Sequence, residues 1–142
     1  MPKARGIVYP SNGLTIASLM MLVSIIDDDL SVRRALRRLV ATAGFSVETF
    51  ASGSEFLDSD PVGRSQCIVL DIHLGGLNGF DVQERLKAMG GEAPVIFITS
   101  HDDEATHARA GRSGAAAYLR NPFEESALLD AIERAIGKAD QS

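Results

Sequence analysis

The chain has 142 residues, enough to bury one substantial core but not to build a second folded unit. Apolar residues make up 45% and charged residues 23%, an ordinary balance for a soluble globular protein that excludes wholesale disorder and residence in a membrane. With 19 acidic and 14 basic side chains the formal charge is −5, which leaves no electrostatic footprint for nucleic acid, so direct DNA binding is not expected.

Residues 1–20 read as a flexible N-terminal tail, with Pro10, Ser11, Asn12 and Gly13 marking a connection and Met20-Met21 offering a later natural start. The apolar stretch from Leu14 to Ile26 is too short to span a bilayer, and it runs into Asp27-Asp28-Asp29 without a small-residue cleavage site. Neither a leader nor a membrane anchor is expected. Residues 21–138 form the domain and residues 139–142 a C-terminal tail. Strands are predicted at Leu22 to Ile26, Phe45 to Phe50, Gln66 to Leu70, Pro94 to Ile98 and Ala115 to Leu119, all short, mostly apolar and read as core strands covered on both faces. After the first strand, Val32, Ala35, Leu36, Leu39, Val40 and Ala43 make a helical stripe opposite Arg33, Arg34, Arg37 and Arg38, closed by Gly44. Further helices are predicted near Ser54 to Leu57, Phe80 to Met89, Glu104 to Arg112 and Glu124 to Ile136. Strand and helix alternate five times, the pattern of an α/β fold with a parallel sheet. The single cysteine, Cys67, lies in an apolar run and reads as a small buried hydrophobe, which fits a reducing, cytoplasmic setting.

In open α/β sheets the functional crevice lies beyond the carboxyl ends of the strands. Asp27 and Asp28 follow the first strand, Asp71 ends the third, Thr99 and Ser100 end the fourth, and Asn121-Pro122 follow the fifth. With the first strand central, the first and third strands are neighbours and their aspartates converge. Three carboxylates so close repel one another unless a cation is bound or one takes a proton. An all-oxygen site of this kind suits Mg2+. It also suits phosphoryl transfer, since the cation neutralises oxygens that would repel a carboxylate nucleophile, and Asp71, held at the end of a buried strand, is the natural nucleophile. The hydroxyl of Thr99 can donate to a phosphoryl oxygen. Asp29 reads as a helix cap.

Four segments carry a family resemblance: Ser24-Ile25-Ile26-Asp27-Asp28-Asp29, Ile68-Val69-Leu70-Asp71-Ile72-His73-Leu74-Gly75-Gly76-Leu77-Asn78-Gly79, Ile96-Phe97-Ile98-Thr99-Ser100 and Tyr118-Leu119-Arg120-Asn121-Pro122-Phe123. In this order and spacing, over about residues 22 to 137, the chain resembles response-regulator receiver domains of two-component signalling. The resemblance implies a doubly wound, five-stranded parallel sheet with the flavodoxin-like (βα)5 receiver fold. It implies phosphorylation of Asp71 from the phosphohistidine of a sensor histidine kinase or phosphotransfer protein. It also implies Mg2+ held by Asp27, Asp28, Asp71 and the backbone carbonyl of His73, and a switch in which Thr99 moves toward the phosphoryl group while Tyr118 turns inward. The arginine face of the first helix would dock on the kinase's helical bundle, and the output would be a changed surface read by a downstream protein. A stand-alone phosphoacceptor of this kind is not an enzyme beyond slow self-dephosphorylation.

One position departs from the family: Asn121 stands where a lysine normally reaches the phosphoryl oxygens. A neutral amide offers an ordinary hydrogen bond of about 0.5–1.5 kcal/mol in place of a charge-assisted one of about 1.5–3. Arg120 is expected on the opposite face by strand alternation. The alternative reading is therefore a pseudo-receiver, a constitutive interaction module that has lost its switch. A Mg2+-dependent phosphatase is disfavoured, because His73 stands where a second carboxylate is usual in that chemistry. His73, His101 and His107 lack the spacing of a zinc site and read as loop and helix surface.

Overall fold

The five apolar runs of the sequence become five parallel strands of one sheet in the order β2-β1-β3-β4-β5. They are β1 (Leu22–Ile26), β2 (Ser46–Phe50), β3 (Cys67–Asp71), β4 (Val95–Thr99) and β5 (Ala117–Arg120). The connecting helices are α1 (Leu30–Thr42), α2 (Gly53–Asp58), α3 (Gly79–Ala88), α4 (Glu104–Arg112) and α5 (Glu125–Gln141). The structure is a computed structural model and describes residues 21–59 and 63–141. The tail expected over residues 1–20 lies outside the described residues, whereas α5 passes Ile136 and carries helix into the stretch expected as a C-terminal tail. No proline intervenes to stop it, and Gly137 alone costs a helix only about 1 kcal/mol.

Side-chain alternation along the strands sorts the core into two layers. Val23 and Ile25 of β1, Cys67 and Val69 of β3 and Ile96 and Ile98 of β4 pack with Leu36 and Val40 of α1 and Leu128 and Ile132 of α5. Ile26, Ile68, Leu70 and Phe97 face the other way, onto Phe56 of α2, Phe80, Val82 and Leu86 of α3, and Ala110 of α4. Burial gives the Cys67 thiol a pKa pushed up to about 12, so it behaves as the apolar filler its neighbours suggest.

The outer strands depart from the expectation of full cover: β2 and β5 are only half-buried, because each has a neighbour on one side alone. The apolar stripe of α1 is also narrower than its sequence suggests. Leu36 and Val40 are buried, whereas Ala35 is exposed.

Register places the carboxyl ends of β1, β3 and β4 together. Ile26 pairs with Leu70, and Asp71 pairs with Ile98, so β3 runs one residue further than predicted and Asp71 is its last member. The loop after Asp71 is closed by the Gly79 amide, which donates to the Ile72 carbonyl at 2.9 Å, and by an Asn78–Asp81 capping box that starts α3. Gly79 has no room for a side chain, since a β-carbon there would lie 2.7 Å from the Asp71 carbonyl oxygen and 2.9 Å from the Ile72 α-carbon. Both obstacles are backbone. Gly79→Ala should therefore lower the urea midpoint by the equivalent of about 1–3 kcal/mol, as overpacking against unyielding atoms does; an unchanged midpoint would show that the loop can move aside.

Candidate functional site

Asp27 leaves the end of β1 almost fully buried, at 4% exposure. Its Oδ1 accepts the Asp29 amide at 2.8 Å, and Asp29 in turn caps α1 by accepting from the amides of Ser31 at 2.8 Å and Val32 at 3.2 Å. This chain of short acceptors turns the backbone out of the sheet and into the helix. Arg33, one turn on, donates from its guanidinium to the Asp27 carbonyl at 2.8 Å. Asp28 is exposed, and its carboxylate accepts the Gly75 amide at 3.4 Å, across the crevice. Asp71 is half-buried, with Oδ1 accepting from the His73 amide at 3.0 Å.

One carboxylate oxygen from each of Asp27, Asp28 and Asp71 lies within 4.8 Å of the others. At that separation two unit charges repel by about 3–4 kcal/mol in a surface-like dielectric. Burial first, and then the neighbouring acids, push the Asp27 carboxyl up to about 6, while its bond from the Asp29 amide pulls the other way. Asp71 is raised as well, again mainly by burial, with Asp28 adding to the shift. An oxygen-only donor set carrying surplus negative charge matches a hard divalent cation, so these residues fit Mg2+.

Asn121 and Ser100 line the same cavity as Asp71, Asp27 and Asp28. Thr99 stands at the end of β4 with its hydroxyl exchanging hydrogen bonds with the backbone of His101, donating to the carbonyl at 2.9 Å and accepting from the amide at 3.0 Å. Tyr118 points away from the acids. Its hydroxyl donates to Asp102 at 2.8 Å and its ring stacks on His107, with centroids 4.8 Å apart and planes 4° from parallel. Burial and the Asp102 carboxylate together raise its phenol to about 12. Arg120 leans over the same Asp102 at 3.9 Å, outside the cavity.

The sequence reading brought Asp27, Asp28, Asp71, Ser100 and Asn121 to one strand edge, and they share it. It missed His101, which lines the cavity, and the Asp102–His107 pair that holds Tyr118. His101 could have been found by carrying the strand-end rule one residue past Ser100. The position of His107 depends on how α4 lies against β5, which no local pattern records.

These features have counterparts in known proteins. The response regulator receiver domain family matches residues 23–133. The chain belongs to that family. It is 40% identical to Nodulation protein W of Bradyrhizobium diazoefficiens over 120 residues, covering 84% of this chain and 53% of that protein. It is 36% identical to the response regulator protein TodT of Pseudomonas putida, covering 99% of this chain and 65% of the relative. Among solved structures, a response regulator receiver protein from Burkholderia phymatum superimposes with a TM-score of 0.72 at 43% identity, covering 82% of this chain and 95% of that one. The present chain therefore spans between half and two thirds of the two full-length relatives. It is a receiver domain of two-component response regulators, and no helix among the described residues is long and apolar enough to cross a membrane.

Two outcomes follow from the electrostatics. The raised carboxyl of Asp27 means that the folded state holds a proton the unfolded state has released between about pH 4 and 6. The stability from this group is full below about pH 4 and is lost as pH rises through 6. The metal-free receiver should melt at lower temperature as pH climbs through that window, and millimolar Mg2+ should recover the loss at pH 7.5 but do little at pH 5. Asp27→Asn should flatten the metal-free profile; an identical slope in this variant would remove Asp27 as its source. Separately, Asp102→Asn in a Tyr9→Phe background should lower the phenol pKa of Tyr118, read by ultraviolet titration. An unmoved titration would mean that Asp102 does not hold the hydroxyl.

Proposed function

We propose that this receiver is a phosphoacceptor. A carboxylate oxygen of Asp71 attacks the phosphorus of a phosphohistidine on a sensor histidine kinase or phosphotransfer protein, the P–N bond breaks, and the imidazole departs with its electron pair. The observation that carries this reading is the convergence of Asp71 with Asp27 and Asp28 at the end of the paired strands β1 and β3. Asp27, Asp28 and Asp71, with the His73 carbonyl, would hold Mg2+, which supplies the positive charge that lets two anions approach. Asp71 is held for attack by its place in the sheet and by the His73 amide on one oxygen, leaving the other free of backbone donors among the described residues. Thr99 and Tyr118 are the switch pair. To respond, Thr99 has to exchange its bonds to His101 for one to the phosphoryl group, and Tyr118 has to leave Asp102 and His107. The result is a changed surface around α4, β5 and α5, offered to a partner protein. The chemistry is a single transfer with slow loss of phosphate, without turnover of a substrate pool.

A second reading, the pseudo-receiver, draws support from Asn121 and from the number of contacts that hold Tyr118 outward. Incubation with a small-molecule phosphodonor and Mg2+, followed by intact mass measurement, separates the two. The phosphoacceptor gains one phosphoryl mass that Asp71→Asn lacks and that chelation of the metal prevents. No gain in the wild type, with the fold intact by circular dichroism, would leave the constitutive module as the better account.

A further inference from the structure

A phosphoryl group on Asp71 carries about 1.5 to 2 negative charges in place of the carboxylate's one, in a cavity of about 200 Å3 whose floor is already acidic. Its outward oxygens need donors. Among the described residues no lysine or arginine lines this cavity. Arg33 is engaged by the Asp27 carbonyl, Arg109 lies 4.3 Å over the ring of Phe80, and Arg120 reaches to Asp102. The side-chain donors that remain are Ser100, Asn121 and two imidazoles, His73 and His101.

The histidines lie 28 positions apart in the chain, yet the fold puts their rings edge to face with centroids 5.2 Å apart, the Nε2 of His73 being 3.4 Å from the His101 carbonyl oxygen. The amide of His73 is bonded to Asp71 itself, and the backbone of His101 is bonded to the hydroxyl of Thr99, the group that turns to the phosphoryl oxygen, so the backbone from which each ring hangs adjoins a residue that meets the phosphoryl group. Both side chains are exposed, and the neighbour each ring would leave in turning to the phosphoryl group is the other histidine. An imidazole carries at least one N–H in either charge state, and it is longer than the amide of Asn121.

We propose that His73 and His101 form a paired donor that grips the phosphoryl group on Asp71 and takes over the role of the lysine that Asn121 replaces. This rests on Asp71 being the phosphoacceptor. Two donors on adjacent loops, after β3 and after β4, meet the group side by side, where a lysine would reach it from the loop after β5. The receiver thus keeps a side-chain grip on phosphate without a lysine ammonium beside the metal.

The test uses the full chain with saturating Mg2+ and the phosphoryl mimic beryllium trifluoride, with bound mimic counted by fluorine NMR. His73→Ala and His101→Ala should each weaken binding by about fivefold, the loss of one ordinary hydrogen bond. The double variant should lose more, and Asn121→Lys should restore its affinity while adding less to the wild type, a non-additivity that a merely structural role for the histidines would not show. Melting temperatures before the mimic is added verify that the variants fold. A double variant that binds as tightly as wild type overturns the proposal while leaving Asp71 as acceptor. So does a folded double variant that lysine fails to rescue. A wild type that binds no mimic and gains no phosphoryl mass overturns the acceptor reading and this inference with it.

Discussion

The parallel pairing of β1 with β3 brings together three carboxylates that would rather be apart, and much of the local structure can be understood as accommodating them. Backbone amides are the first means of doing so: Asp29, His73 and Gly75 each donate to one of the acids. The loop after β3 is the second. It is drawn tight by Gly79 against the Asp71 carbonyl, which fixes where the His73 and Gly75 amides point. What remains uncompensated is stored as raised carboxyl pKa values, and that surplus is the attraction a divalent cation would meet.

The site is asymmetric in a way that matters for signalling. Its floor is built from the ends of β1 and β3, whose apolar residues Ile25, Ile26, Val69 and Leu70 are fully buried. Its rim is packed more lightly. α4 contributes only Ala110 to the core among its residues, so the element carrying His107 is lightly anchored, and the contacts between Tyr118, Asp102 and His107 form a polar latch on that face. Chemistry on the floor can therefore alter the rim without disturbing the hydrophobic layers beneath.

Much of this was legible in the sequence, for identifiable reasons. Strands and helices of this fold are written locally, in apolar runs and helical stripes, and once the strand order is known Asp27, Asp28 and Asp71 must meet. What escaped depends on distances the pattern does not contain. The half-burial of β2 and β5 follows from their place at the edges of the sheet, and Val47 or Tyr118 looks the same in sequence whether a further strand lies beside it or not. Ala35 belongs to a helical stripe by spacing but lies beyond the reach of the sheet. The contact of His73 with His101 joins loops from different βα units, and spacing rules for metal ligands, which look within one helix or turn, pass over it.

The bond from Arg33 to the Asp27 carbonyl has a thermodynamic corollary. The guanidinium belongs at once to the basic face of α1 and to the backbone of the acidic pocket. An acidic partner group that engages that face competes with the Asp27 carbonyl for the same donor, so docking and pocket geometry share one free energy. By reciprocity, whatever tightens the pocket around Asp27 would change how strongly such a group is held at α1, because both draw on the same guanidinium.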